Sequence, residues 1–78
     1  MFDKWVKNCE ENGLEIWRLE SSGETELIMT KESYRQGSTE YYRDPVYHIW
    51  KGNKWLLTTL NYREALETWR DVAAISGR

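Results

Sequence analysis

Cysteine, histidine and proline are scarce in this chain, which contains one residue of each type. The single cysteine, Cys9, excludes an internal disulfide. One cysteine with one histidine is also too few for a structural zinc site, which takes four ligands. A lone free thiol is typical of a reducing compartment. We therefore expect a cytoplasmic protein that is stabilised by packing, without a metal or other cofactor.

Long apolar runs and an excess of one charge are absent as well. The apolar runs, such as Trp55-Leu56-Leu57, are far shorter than a membrane span requires. Eleven basic and thirteen acidic residues give a formal net charge of −2, which indicates neither a polyanion mimic nor a basic nucleic-acid-binding surface. The length of 78 residues fits a single domain, residues 1–78.

Aromatic residues are abundant, with five Trp, five Tyr and one Phe. Each of these side chains can bury roughly 150–250 Å². A domain of this size needs that area, because its core alone supplies only about 3–5 kcal/mol. The composition therefore predicts a folded chain rather than a disordered one.

The first residues carry one apolar helical stripe. Apolar side chains recur at i, i+3, i+4 and i+7, the spacing of a single helix face. They are Phe2, Trp5, Val6 and Cys9. Because Gly13 is a natural left-handed stop, we predict a helix over residues 2–12.

Two β-rich segments follow, residues 14–20 and 26–31, separated by turn residues, and they predict a hairpin. Trp17 and Leu19 break the strict alternation of the first segment. The polar residues 31–44 fit either an extension of this hairpin, with a turn around Gly37, or a mobile loop. We favour the hairpin extension, because a structureless loop of that length is unusual in so small a domain.

A second hairpin is predicted around Gly52-Asn53, with Gly52 in the positive-φ position. A two-residue loop pairs Lys51 with Lys54 and Trp50 with Trp55. Continued without interruption, the same register gives the further pairs Ile49–Leu56, His48–Leu57 and Tyr47–Thr58. One face of the hairpin then carries Trp50, Trp55, His48 and Leu57, because side chains alternate across a strand.

The last segment predicts a capped helix. Asn61 is the N-cap, and Glu64 completes a capping box in which each side chain serves the other's backbone N–H. The apolar stripe comprises Tyr62, Ala65, Leu66, Trp69, Val72 and Ala73. Gly77 is expected to end the helix.

These elements define the expected fold class, α+β, with a small antiparallel sheet of three to four strands and the order α-β-β-β-β-α. The two short helices can cover the faces of the sheet in two alternative ways. If both helices pack on one face, the other exposes its tryptophans. If each helix covers one face, all the tryptophans belong to the core. Trp5, Trp17 and Trp69 are predicted to be core residues in either arrangement.

The first functional hypothesis is a non-catalytic protein-binding module, a regulator or inhibitor of a partner protein. An exposed aromatic patch commonly marks a partner site, and aromatic side chains dominate binding energy at such sites. The expected contact residues are Trp50, Trp55, His48, Tyr41 and Tyr42. A symmetric homodimer through the same face is a further alternative.

The second hypothesis is a nucleic-acid-binding module, in which basic side chains follow the backbone and rings stack on bases. Its residues are Arg35, Arg43, Lys51, Lys54 and Tyr34. Residues 31–44 hold three basic and three acidic side chains, and this local neutrality weakens the hypothesis.

The hypothesis that the protein is an enzyme ranks last. Cys9 and His48 form the one conceivable nucleophile–base pair, and Cys9 lies on an apolar stripe, where a free cysteine usually behaves as a small buried hydrophobic residue. The carboxylates lie in turns and on polar faces. We therefore predict no catalytic residues.

Overall fold

The computed structural model describes residues 1–76. They form two helices and five strands: α1 (Phe2–Glu11), β1 (Leu14–Ser22), β2 (Thr25–Gln36), β3 (Thr39–Tyr42), β4 (Val46–Lys51), β5 (Lys54–Thr59) and α2 (Tyr62–Ser76). All strand pairs are antiparallel, in the order β1-β2-β4-β5, and β3 pairs with the distal end of β2. The predicted α+β class is confirmed.

The fifth strand arises from the polar residues 31–44. β2 continues to Gln36, turns through Gly37 in the left-handed conformation (φ 67°) and returns as β3. Arg43, Asp44 and Pro45 separate β3 from β4. The hairpin extension is therefore confirmed, and we name residues 33–42 the arm.

The β4–β5 hairpin contains a bulge that the sequence prediction missed. Lys51 pairs with Lys54 and Trp50 with Trp55 as predicted, but Ile49 pairs with Leu57 rather than Leu56. The predicted pairs beyond Trp50 are thus wrong by one residue, and His48 pairs with Thr58 and Tyr47 with Thr59. The extra residue, Leu56, lets Leu57 pack in the core.

A second bulge lies in β1. Arg18 pairs with Ile28 and Glu20 with Leu27, which leaves Leu19 as the extra residue. Leu19 then packs against the same core as Leu57. Trp17 lies before the bulge and pairs with Met29, so it takes the face opposite to Ile16 by ordinary alternation.

The N-cap of α2 is half of the predicted capping box. The Glu64 N–H donates to Asn61 Oδ1 over 3.1 Å. The Asn61 N–H donates instead to Thr59 Oγ1 over 3.1 Å, so the reciprocal bond from Glu64 is not the one made. Gly77, predicted to end this helix, lies outside the described residues.

The two helices cover opposite faces of the sheet. Leu27 and Ile49 of the sheet and Ala65 of α2 form a fully buried cluster. The neighbouring Trp50 points to the other face, where Phe2 and Trp5 of α1 pack against it. Each helix therefore covers one face, the second of the two alternatives. Within residues 1–76 no helix is long and apolar enough to cross a membrane.

Candidate functional site

The position of α1 is fixed by the tip of the β4–β5 hairpin. Asn53 lies in the turn, and its Oδ1 accepts a hydrogen bond from the Phe2 N–H over 3.2 Å. This N–H belongs to the first turn of α1, where backbone donors lack partners within the helix. A side chain 51 residues further along the chain therefore caps the helix and holds its N-terminal end against the hairpin.

Three tryptophans pack where α1 meets the hairpin, and we name Trp5, Trp50 and Trp55 the Trp cluster. The rings of Trp50 and Trp55 stack at 5.5 Å and 11°. Trp5 lies across both, at 5.3 Å from Trp50 and 5.8 Å from Trp55. Trp50 is buried, with 1% of its surface exposed, whereas Trp55 is 50% exposed. The cluster is thus anchored in the core and reaches the surface through Trp55.

A cleft of about 680 Å³ opens beside this cluster, and we name it the α1–hairpin cleft. Its lining consists of the Trp cluster, Met1 and one side of α1, with Lys4, Lys7, Asn8 and Glu11. The volume falls within the range of about 300–1,000 Å³ that is typical of ligand pockets. Aromatic walls with a few polar groups at the rim are suited to binding an apolar side chain.

His48 lies beneath the cleft as a buried, neutral side chain. Its Nε2 is 2.9 Å from Thr30 Oγ1, and its Nδ1 is 3.3 Å from Thr58 Oγ1. Trp5 packs edge-on against the ring at 4.9 Å. Burial lowers the pKa of His48 to about 4. Because both ring nitrogens are engaged by hydroxyl groups, His48 holds the sheet together rather than facing a ligand.

Cys9 is buried on the inner side of α1. Burial, followed by the nearby charge of Glu10, raises the pKa of this thiol. A raised pKa keeps the thiol protonated at neutral pH, which makes it a poor nucleophile. Among the described residues, no group of three or more His, Cys, Asp and Glu side chains could hold a metal ion.

The arm carries tyrosines on both of its faces. Tyr34 and Tyr41 are cross-strand partners whose rings stack at 5.6 Å. Arg43 lies over Tyr34 at 5.1 Å and forms an ion pair of 3.3 Å with Glu32. Tyr42 follows Tyr41 in β3 and therefore points to the opposite face. The two predicted contact residues of the arm do not share one surface.

A second exposed aromatic group lies on the face that α2 covers in part. Lys31 Nζ sits between the rings of Trp17 and Tyr42, at 5.9 and 5.6 Å. Glu15, and then Glu40, raise the pKa of the Tyr42 hydroxyl. Trp17 is 51% exposed, so its predicted place in the core is wrong. The prediction that all five tryptophans belong to the core when each helix covers one face is also wrong, because Trp17 and Trp55 are half-exposed.

The predicted binding residues therefore separate into distinct places. Trp50, Trp55 and His48 come together beside α1, but Trp50 and His48 are buried and only Trp55 offers a contact surface. Of the basic residues of the alternative site, Arg35 faces Glu40 across the arm. Lys51 and Lys54 face each other at the hairpin tip.

Sequence reasoning missed the α1 side of the cleft. Lys4 and Lys7 line it together with Trp5, which the sequence predicts only as a core residue. Their i, i+3 spacing is a usable signal, because it places both lysines on one side of a helix. What the sequence could not supply is the position of α1 over the hairpin.

Comparisons with protein-family models, with curated proteins and with solved structures found no match for this chain.

Proposed function

We propose that this protein is a small non-catalytic protein-binding module, a regulator or inhibitor of a partner protein, and that it binds through the α1–hairpin cleft. The observation that carries the proposal is the apolar cleft of about 680 Å³ with half-exposed Trp55 in its wall. Tryptophan is among the residue types that contribute most to interface energies, above all beside a pocket that excludes water.

Two features support a binding rather than a catalytic role. Both ring nitrogens of His48 are engaged by threonine hydroxyls, and burial raises the pKa of Cys9. A nucleophile–base pair needs an ionisable nucleophile within hydrogen-bonding reach of a free base. The buried free thiol also suits a reducing compartment such as the cytoplasm.

The nucleic-acid alternative has weaker support. Lys31 and Arg43 lie over rings of the chain itself, and Arg43 is paired with Glu32. Basic groups that are already engaged are less available to neutralise phosphates. Binding of single-stranded DNA that weakens steeply as salt rises from about 50 mM would favour this alternative.

A test of the cleft compares two tryptophans of equal exposure on opposite faces. Trp55 and Trp17 are 50% and 51% exposed. With immobilised protein and a lysate of the cells that express it, we expect wild type and Trp17→Ala to retain the same bound protein and Trp55→Ala to lose it, by tenfold or more, as for a hot-spot residue (~2 kcal/mol).

Circular dichroism of both variants provides the folding control. Loss of the partner with both variants, or with neither, would contradict binding through the cleft. A homodimer through the same face would instead appear as a second, concentration-dependent species in sedimentation of the purified protein.

A further inference from the structure

We infer that the α1–hairpin cleft accepts an acidic amphipathic segment of its partner. An apolar side chain of the segment enters the cleft beside Trp5 and Trp55. The carboxylates of neighbouring residues in the segment form ion pairs with Lys4 and Lys7. This inference rests on the proposed function and narrows the class of partner.

The rim of the cleft is electrostatically polarised along α1. Lys4 and Lys7 are neighbours on one side of the helix, one turn apart. Glu11 lies a further turn along the same side, about 10 Å from Lys4 at 1.5 Å per residue. Lys4 lies in the first turn of α1, the end at which the helix dipole also favours negative charge.

Three basic side chains among residues 1–76 are held by ion pairs or lie over aromatic rings. The ion pairs among the described residues join Arg18 to Glu26 and Arg43 to Glu32. Lys31 lies between two aromatic rings. Lys4 and Lys7 take part in neither kind of contact within residues 1–76, and both are exposed. A net positive rim on a chain of charge −2 is complementary to carboxylates.

The aromatic wall of the cleft indicates that the bound segment also needs an apolar side chain, in addition to its carboxylates. Trp5 and Trp55 lie 5.8 Å apart with their rings tilted by 51°, which leaves ring surface facing the cleft. An apolar side chain buried there gains from the removal of its surface from water. Carboxylates placed beside it then set the orientation of the segment along the lysine rim.

The experiment selects a random peptide library displayed on phage against three proteins. They are the wild type, the double variant K4E/K7E and the matched control R63E/R70E. Arg63 and Arg70 are exposed on α2, which covers the opposite face of the sheet, and their reversal changes the net charge by the same amount.

We expect the wild-type and R63E/R70E selections to enrich apolar residues flanked by Asp and Glu. Peptides selected on wild type should bind K4E/K7E about tenfold more weakly, because each exposed ion pair is worth up to about fivefold and reversal adds repulsion. The K4E/K7E selection should lose the acidic enrichment.

Two results would overturn the inference, and they are distinguishable. Peptides that lose binding to Trp55→Ala but show no acidic enrichment and bind K4E/K7E normally would contradict the acidic segment and leave the proposed function standing. Peptides that bind Trp55→Ala as well as wild type would contradict the proposed function itself.

Discussion

Trp50 links α1 to the sheet, and one of its polar atoms is unsatisfied. The side chain packs against Phe2, Trp5 and Trp55. Its Nε1 is buried and has no acceptor among the described residues. A buried donor without a partner costs roughly 1–3 kcal/mol, so the ring contributes through its apolar surface alone.

The packing of the Trp50 ring stabilises the fold and its unsatisfied N–H destabilises it, so two substitutions should have different effects. Trp50→Ala should destabilise the fold by about 3–5 kcal/mol, close to the full stability of a domain of this size. Trp50→Phe keeps a ring and removes the unsatisfied N–H, so its cost should stay below about 2 kcal/mol. Urea unfolding followed by circular dichroism measures both. An unchanged midpoint for Trp50→Ala would show that the Trp cluster does not hold α1.

His48 makes the stability of the protein depend on pH. Its pKa is about 4 in the folded protein, against an ordinary value of 6.5. The unfolded chain therefore binds more protons between these two values, and stability falls as the pH drops from about 6.5 to 4. The contacting groups are threonine hydroxyls and tryptophan rings, so burial is the cause.

We expect the loss to be on the order of 3 kcal/mol over that interval. The measurement is the free energy of unfolding at a series of pH values. The variant His48→Gln keeps hydrogen-bonding groups but has no side chain that titrates in this pH range. Its free energy of unfolding should therefore depend less on pH than that of wild type. Parallel profiles would mean that carboxylates, and not His48, cause the acid sensitivity.

At the scale of elements, the strands were predictable from the sequence but part of their register was not. The β-rich segments, the Gly52 turn and the Asn61 cap follow from local propensity. The bulges at Leu19 and Leu56 do not follow from local propensity. Each depends on packing against α2, which stabilises the strand with its extra residue. The bulge at Leu56 turns Leu57, instead of Leu56, toward the core.

The bulge in β5 predicts unequal effects for two adjacent leucines. Leu57 packs against the buried cluster, whereas Leu56 is 39% exposed. Leu57→Ala should therefore cost about 2–3 kcal/mol and Leu56→Ala less than about 1 kcal/mol. Chemical denaturation of both variants checks the difference. A larger loss of stability for Leu56→Ala than for Leu57→Ala would contradict the bulge.

The candidate site was less predictable than the strands that build it. The Trp50–Trp55 pair follows from the hairpin turn, and α1 follows from its apolar stripe. The cleft requires the docking of these two elements, which depends on the long-range bond from Phe2 to Asn53. Local sequence patterns carry no signal for such a contact, so they do not assign Lys4 and Lys7 to a site.

At the scale of the whole molecule, the arm makes the protein elongated. The longest dimension is 51 Å and the radius of gyration is 13.7 Å, against about 11.5 Å for a compact domain of this length. Both long edges of the sheet, β1 and β5, contain a bulge. Bulges at edges discourage pairing between sheets of different molecules.

The arm should be removable without loss of the cleft. The Arg43 N–H donates to the Glu32 carbonyl over 2.9 Å, so an Asn-Gly turn can replace residues 33–42. We expect the free energy of unfolding to change by less than about 1 kcal/mol. The radius of gyration from small-angle scattering should fall, and Trp55-dependent binding should be retained. Loss of that binding would place the arm in the interface.

The cap that Asn53 provides to α1 also has a consequence for biosynthesis. The segment that forms α1 leaves the ribosome before the hairpin that caps and covers it. At roughly 5–20 residues per second, a delay of several seconds separates the two events. During that interval Phe2 and Trp5 have no hairpin to pack against, so the α1–hairpin cleft forms only after translation has passed Trp55.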